Sequence, residues 1–502
     1  MSVTLSNLSP NIRIPLFYVQ FDNSMAGANQ SNQRALIIGQ TMTGFTQPAV
    51  PAYNDGVQFS INSYGAGSTL ARMVTQYRNN DTFGELWCLP LPDASGATAA
   101  TGTITFAATG ASAGTFPLYV GGQSAPFAVN SGDTATTIGA NAAAAVNATT
   151  SMPCTAAAAS GVVTFTAKNK GLTAGDIDIS VAYEGVQNGE IVPGGVTYSI
   201  TAFTGGGADP DLVTNAVGAA MGAKTFDYIA MPYWGATQMT EMKAIMGDST
   251  GRWSPMQQLF GHVFTAKRDT AANLLTYGAT NNDQHSTAVG IPGGVGGSPT
   301  PSFEWAAAWT GAVAPSANAD PALPLQTLAI QGVLAPQPSQ IFTASTQQSL
   351  LTTGIALPAF ADDGSASILR SVTTYQTNAF GQADQSYLDV ETMFTLMAIT
   401  RQLKSAITQK FSRAKLADNG TTFGPGQRVV TPNIIFAEIA AQYALMESNG
   451  LVEDAAAMTA ATKVVRNAQD PSRVDVLFAP YLISGLRIFA VLNQFRLLSQ
   501  SS

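Results

Sequence analysis

Charged side chains are scarce in this sequence of 502 residues. It contains 23 basic and 31 acidic residues, which together make 11% of the chain, whereas a soluble protein usually has roughly 25%. Such a deficit is typical of a membrane protein, a fibre or a subunit whose surface is buried in an assembly. Two long charge-free runs, residues 94–132 and 322–361, are interrupted by Gly, Pro, Ser, Thr and Gln. Because a membrane-spanning helix needs about 20 apolar residues, we predict no membrane span.

Cysteine and histidine are also sparse. Cys88 and Cys154 belong to no CxxC pair, and His262 and His285 belong to no HExxH pattern. These spacings argue against a disulfide framework and a metal site. No Walker loop and no GxGxxG after a strand is present, so we predict no cofactor. The net charge of −8 argues against general nucleic-acid binding.

The first 20 residues do not read as a secretory signal. They lack a basic segment followed by an apolar stretch and a small-residue cleavage site. We therefore expect the protein to be made in the cytoplasm.

One short motif raises an enzymatic alternative. Residues 247–251 read GDSTG, which matches the G-x-S-x-G pattern of a serine hydrolase, and His285 with Asp269 or Asp283 could complete a triad around Ser249. That motif requires a strand before the serine and a helix after it. Here a helical pattern precedes Ser249 and a proline follows soon after. We favour a turn and no enzymatic activity, with a hydrolase using Ser249 as the alternative.

Composition and periodicity divide the chain into parts. Residues 93–207 are rich in Ala, Gly and Thr, and their apolar residues recur at strand spacing around one helix at residues 133–148, capped by Ser131 or Asp133. On both sides, strands such as residues 35–39 alternate with helices such as residues 68–79. This alternation is typical of an α/β layer that is interrupted by an insertion.

The last third of the chain has its own character. It is close to neutral while the rest is acidic, and a strand predicted at residues 368–375 precedes a long helix predicted at residues 387–411. We predict an α+β multidomain protein: an α/β core domain, an inserted mostly-β domain and a C-terminal α/β assembly domain with terminal strand arms. The boundaries are an N-terminal arm at 1–24, the core at 25–92 plus 208–365, the insert at 93–207, the C-terminal domain at 366–482 and a C-terminal arm at 483–502.

The most strand-like apolar segments lie near the two ends, at residues 11–22 and 486–497. Burying four large apolar side chains gains about 6–12 kcal/mol, whereas ordering about ten backbone residues costs roughly 10–20 kcal/mol. A terminal strand therefore needs a sheet to join, in its own chain or in a neighbour. Both possibilities stay open at this point.

A basic cluster lies near the end of the long predicted helix. Arg401, Lys404 and Lys415 would share one helix face if the helix continued to Lys415. Such a stripe is usually a solvated surface, but it could also dock onto an acidic protein.

Several short segments, in order, resemble a contractile tail sheath protein of the Mu-like bacteriophage group. They are NIRIPL at 11–16, FDNS at 21–24, RALIIGQ at 34–40, GT at 114–115, LYVGG at 118–122, DID at 176–178 after Gly171, RSVTTY at 370–375 and LDV at 388–390. The resemblance spans most of the chain.

The resemblance implies a structural subunit that forms stacked hexameric rings around a tail tube and contracts to drive the tube through the host envelope. It implies an insert that projects outward, a C-terminal domain that faces the tube, and arms that add strands to neighbouring subunits. Its partners would be copies of itself, the tail tube protein, the baseplate and the tail terminator, in a virion assembled in the host cytoplasm. The arm residues would be Ile12, Ile14, Leu16, Tyr18, Leu486, Ile488, Ala490 and Leu492, and we take Arg401, Lys404 and Lys415 as candidate tube-facing residues. A tailocin or secretion-type sheath is the alternative within this class.

Overall fold

The structure is a computed structural model that describes residues 33–496. The predicted N-terminal arm, with Ile12, Ile14, Leu16 and Tyr18, lies outside the described residues, as do residues 497–502. The first described elements are β1 Arg34–Gln40, β2 Ala52–Tyr53, α1 Val57–Tyr64, α2 Thr69–Asn80 and β3 Glu85–Leu91. The strand and the helix predicted here are both present, and the helix begins where the Ser68 side chain caps it.

The Ala/Gly/Thr-rich segment folds into strands around one helix, as its periodicity predicts. That helix is capped by Thr134, whose side chain accepts a hydrogen bond from the Thr137 N–H, so the predicted caps Ser131 and Asp133 are wrong. The segment has its own apolar core, which includes Ile104 and Phe165. Its elements are β4 Ala99–Ala108, β5 Gly114–Phe116, β6 Leu118–Val120, β7 Gln123–Ser124, β8 Phe127–Val129, α3 Ala135–Ala148, β9 Cys154–Ala159, β10 Val162–Lys170, β11 Ile179–Val181 and β12 Val196–Thr204.

After the insert, strands and helices alternate again. The elements are α4 Val217–Met221, β13 Tyr228–Ala230, α5 Ala236–Met246, β14 His262–Asp269, α6 Ala271–Thr280, β15 Ser286–Pro292, α7 Ser302–Ala319, β16 Ala329–Ile330, α8 Ala344–Thr352, β17 Ile355–Phe360 and β18 Ala366–Arg370.

The C-terminal part consists of helices and very short strands. Its elements are α9 Val390–Phe411, β19 Lys415–Leu416, β20 Val429–Val430, α10 Pro432–Ser448, β21 Val452–Glu453, α11 Ala455–Ala461, β22 Lys463–Arg466, β23 Val474–Leu477 and β24 Tyr481–Leu482. The predicted mixture of α/β and β-rich parts is thereby confirmed as the fold class.

Strands from both sides of the insert form one nine-stranded sheet, in the order β16-β18-β17-β15-β14-β13-β1-β3-β2. The six strands from β17 to β3 are parallel, and they are connected through helices because parallel neighbours require long crossovers. The edge strands β2 and β16, and β18 next to β16, pair antiparallel. The predicted boundary after residue 365 falls too early, because β18 belongs to this sheet.

Helices cover both faces of the nine-stranded sheet. On one face α7 is buried on nearly all sides, and its Trp305 and Trp309 are fully buried. On the other face, Met239, Met242 and Met246 of α5 pack against the sheet. A helix that is buried on nearly all sides is typical of the interior of a large protein.

Buried ion pairs connect the insert to the α/β region. Arg268 of β14 contacts Asp176 at 3.0 Å and Asp178 at 3.2 Å, and its side chain is 9% exposed. Arg72 of α2 pairs with Glu304 of α7 at 2.5 Å and donates to carbonyl oxygens of the insert. Because neither guanidinium faces solvent, the insert is held by directed contacts as well as by its covalent links.

Candidate assembly surface

The C-terminal helices carry a small β-hairpin. β22 and β23 pair antiparallel with Val464 opposite Val476, and Val464 and Val474 pack against an apolar cluster that includes Ile435 and Ile439 of α10. The described residues give this sheet only two strands. Each strand therefore has an edge that no other described strand of the same chain covers, and such an edge can accept a further strand.

The chain after β24 is apolar and exposed. Leu486, Ile488 and Leu492 are between 73% and 85% exposed, and Ala490 is exposed as well. Phe489, Val491 and Phe495 are also exposed. Residues 483–496 are the described part of the predicted C-terminal arm. They form no strand and no described sheet pairs with them, so the strand predicted at 486–497 is absent over its described residues 486–496.

The root of the arm is fixed to the rest of the chain. The Ile483 N–H donates to the Leu451 carbonyl oxygen, and the Gln326 side chain donates to the Leu486 carbonyl oxygen at 3.3 Å. Arg487 forms ion pairs with Asp389 at 3.2 Å and with Glu391 at 3.0 Å. After Arg487, every described residue of the arm is exposed.

The predicted basic stripe does not form as one helix face. Helix α9 ends at Phe411, and Lys415 lies in β19, paired with Val429. Arg401 forms a salt bridge with the buried Asp227, so its charge is already matched within the chain. Lys404 is exposed on α9 and stays available for an external partner.

The hydrolase alternative has the wrong geometry. Ser249 lies in an exposed turn directly after α5, which ends at Met246, where the motif requires a strand. His285 hydrogen-bonds to Asp248 and Asp283, each at 3.1 Å. The histidine is therefore part of an acidic cluster, in which the hydrogen bonds of two carboxylates oppose the effect of burial and raise its pKa to about 9.

Other site chemistry finds little support in the part of the chain that the structure describes. Residues 33–496 contain no group of His, Cys, Asp and Glu side chains that could hold a metal ion. None of the described helices combines the length and the apolar character that a membrane span requires. Cys88 and Cys154 are free and buried.

Comparison with known proteins decides the family. The sequence model of the phage tail sheath protein central domain matches residues 208–374, and that of the phage tail sheath C-terminal domain matches residues 382–496. A Mu-like prophage FluMu tail sheath protein from Haemophilus influenzae is 34% identical over 498 residues, which cover 99% of this chain and all of the relative. The chain belongs to the phage tail sheath protein family. This is a family of structural proteins and not of enzymes. The prediction that the chain is a tail sheath component of a phage particle is confirmed by this family membership.

Solved sheath structures are more distant. The sheath tail protein of Listeria innocua is 11% identical with a TM-score of 0.48, over 90% of this chain and 92% of that chain. The sheath of an extracellular contractile injection system in its contracted state is 10% identical with a TM-score of 0.47, over 98% of this chain and all of that chain.

Sequence reasoning missed the residues that hold the sheath subunit together between its parts. Arg72, Arg268 and Arg487 each pair with carboxylates far away in the sequence. A signal existed for Arg487, because it is a lone charge in the otherwise apolar start of the arm. No such signal marks Arg72 or Arg268.

Proposed function

We propose that this sheath protein polymerises as stacked hexameric rings around a tail tube and contracts to drive the tube through the host envelope during genome delivery. The observation that carries the proposal is the C-terminal arm. Its apolar side chains are exposed along its described length, and the C-terminal part of the chain also contains a two-stranded sheet whose edges no other described strand covers. An arm that pairs with the sheet of a neighbouring copy would bury the apolar side chains of the arm and cover an edge of that sheet.

The pairing of arms is an exchange between identical subunits. An arm that leaves one subunit and joins the next is a head-to-tail contact, which repeats to give rings or helical stacks. The predicted arm at residues 1–24 would add a second such contact. Ile488, Ala490 and Leu492 would then form one face of the added strand, because alternate residues of a strand share a face.

The work of contraction would come from burial of surface between subunits. Two assembly states that differ in buried interface differ in free energy, and release from the less favourable state drives the change without a nucleotide. The low charge of the chain supports this proposal, since subunit surfaces with few charges lose little solvation when they meet.

The remaining partners follow from the same proposal. The tail tube protein would lie against the C-terminal part, with Lys404 and Lys415 as candidate contacts, and the baseplate and the tail terminator would bound the stack. The virion would be assembled in the host cytoplasm. The same architecture would serve a tailocin or a secretion-type injection machine.

Electron microscopy of the purified full chain tests the proposal. We expect long hollow tubes in negative stain at high protein concentration. A protein that stays monomeric under these conditions would contradict the polymerisation that we propose.

A pair of variants tests the arm itself. Ile488→Asp with Leu492→Asp places two charges on the face that would pack against a neighbour, so rings or monomers should replace tubes. The control, Asn493→Asp with Gln494→Glu, adds the same charge to polar positions and should leave tubes intact. Normal tubes from both variants would rule out arm pairing.

A further inference from the structure

The structure fixes the place where the C-terminal arm begins. Gly485 lies against Pro324 so closely that a Cβ would come within 2.5 Å of the proline Cγ. The Leu486 carbonyl oxygen accepts a hydrogen bond from Gln326. The Arg487 side chain is 15% exposed, whereas Ile488 is 78% exposed. Arg487 is therefore the last described residue of the arm that is not exposed.

Arg487 joins a chain of alternating charges. Asp389 accepts from Arg370 at 2.9 and 3.1 Å and also pairs with Arg487. Glu391 pairs with Arg487 and accepts a hydrogen bond from the Leu325 N–H at 2.8 Å. The positive charges of the two guanidinium groups balance the negative charges of the two carboxylates. Glu391 depends most on this arrangement, because its side chain is only 5% exposed and an unpaired buried carboxylate is strongly unfavourable.

The same chain of charges connects the arm to three parts of the fold. Arg370 ends β18 of the nine-stranded sheet. Asp389 is the N-cap of α9, and Glu391 lies in its first turn, where negative charge is favourable next to the helix N-terminus. Leu325 belongs to the segment that follows helix α7. The root of the arm is therefore connected through Arg487 to the end of β18, to the start of α9 and to the segment after α7.

We propose that Arg487 is the anchor of the C-terminal arm, a positioning residue that fixes where and in which direction the arm leaves its subunit for pairing with a neighbouring copy. The inference rests on the proposed exchange of arms. Its physical basis is preorganisation: an arm with a fixed root loses less conformational freedom when it pairs, and its free end stays near the neighbour. Arg496, the other basic residue of the described arm, is exposed and has no such role.

The test compares Arg487→Met with Arg496→Met in the full chain. Each variant removes one positive charge from the arm, but only the first removes the anchor. Below the concentration at which tubes form, amide hydrogen exchange at residues 485–488 should become faster in Arg487→Met and stay unchanged in Arg496→Met. The concentration needed for tube formation should rise about tenfold in Arg487→Met and stay near that of the unmodified protein in Arg496→Met.

A third variant separates loss of the anchor from loss of the fold. Arg487→Met combined with Glu391→Gln leaves no unpaired charge on Glu391, while Asp389 keeps Arg370. We expect this protein to fold normally and still to need the higher concentration for tube formation. If the variant forms tubes at the same concentration as the unmodified protein, despite faster amide exchange at residues 485–488, Arg487 is not the anchor of the arm. Exchange at 485–488 that stays unchanged in the folded variants would overturn the anchor role of Arg487 as well.

The experiment distinguishes this inference from the proposed function. If the unmodified chain forms no tubes, the proposed pairing of arms between subunits is wrong. The amide hydrogen exchange rates at residues 485–488 still decide whether Arg487 holds the root of the arm. If the unmodified chain forms tubes and Arg487→Met forms them equally well, the proposed function stands and the anchor is wrong.

Discussion

Arg401 of helix α9 forms a salt bridge with Asp227, a fully buried carboxylate that directly precedes strand β13. Asp227 also accepts a hydrogen bond from the Arg34 N–H at 3.0 Å. Burial raises the pKa of Asp227, and the charge of Arg401 opposes that rise. The pair therefore connects the C-terminal helix to the centre of the nine-stranded sheet.

Arg401→Met should lower the free energy of unfolding by about 3–5 kcal/mol, because it leaves the Asp227 carboxylate buried without its charge partner. Urea unfolding of the full chain measures the change. Lys404→Met, on the exposed side of the same helix, is the control and should change stability by less than about 0.5 kcal/mol. Equal effects of the two substitutions would show that Arg401 is a surface charge like Lys404.

The exposed lysines give a different prediction. If Lys404 and Lys415 contact an acidic tail tube, changing both to Glu should weaken assembly of the sheath on tubes, since like charges would then face each other. Assembly without tubes should be unaffected. Sedimentation of sheath with and without purified tubes measures both. Lys170→Glu, in the insert, is the control for charge reversal, and an equal loss in both assays would place the two lysines between sheath subunits.

Local patterns predicted those elements whose signals lie within a few residues. The buried run from Ala35 to Ile38 forms the interior strand β1, and Ser68 marks the start of α2, because strand burial and helix capping are short-range properties. The same reasoning placed the insert helix but chose the wrong cap, since Ser131, Asp133 and Thr134 all offer a suitable oxygen.

The candidate site was predictable only in part, for a physical reason. Alternating apolar residues indicate that the arm can form a strand, but a strand requires a partner, and periodicity does not name one. The end of α9 at Phe411 was predicted correctly, but the basic stripe required the helix to continue to Lys415, and Leu416 instead packs against the α10 cluster. The pairing of Arg487 with Glu391 joins residues nearly a hundred positions apart, a distance over which no local pattern acts.

The acidic cluster around His285 predicts a dependence of stability on pH. Burial alone would lower the pKa of His285, but the hydrogen bonds and charges of Asp248 and Asp283 raise it to about 9. A histidine pKa above its unfolded value of about 6.5 stabilises the folded state below that pH, and this contribution is lost as the pH rises through about 9. His262 stays neutral over this range, because burial lowers its pKa to about 3.

The free energy of unfolding should therefore fall by on the order of 3 kcal/mol between about pH 6.5 and about pH 9. Urea unfolding at several pH values in this interval measures the slope. His285→Gln removes the titrating group and should flatten it. A slope that persists in His285→Gln would assign the pH dependence to another group.

The ion pairs of Arg268 predict how the insert is held. Arg268→Met would leave Asp176 and Asp178 without their positive partner, so stability should fall by about 3–5 kcal/mol, and amide exchange should become faster around residues 172–182 before it does in the nine-stranded sheet. Burial already raises the pKa of Asp178 against the charge of Arg268. Without that charge the pKa of Asp178 should rise further, so the folded variant takes up a proton more readily than the unfolded chain. Its loss of stability relative to the unmodified protein should therefore become smaller as the pH falls.

Adding Asp178→Asn to Arg268→Met removes one of the two unpaired charges and should recover part of the lost stability at neutral pH. If the second substitution makes the protein less stable still, the insert is held mainly by its apolar contacts and not by these charges.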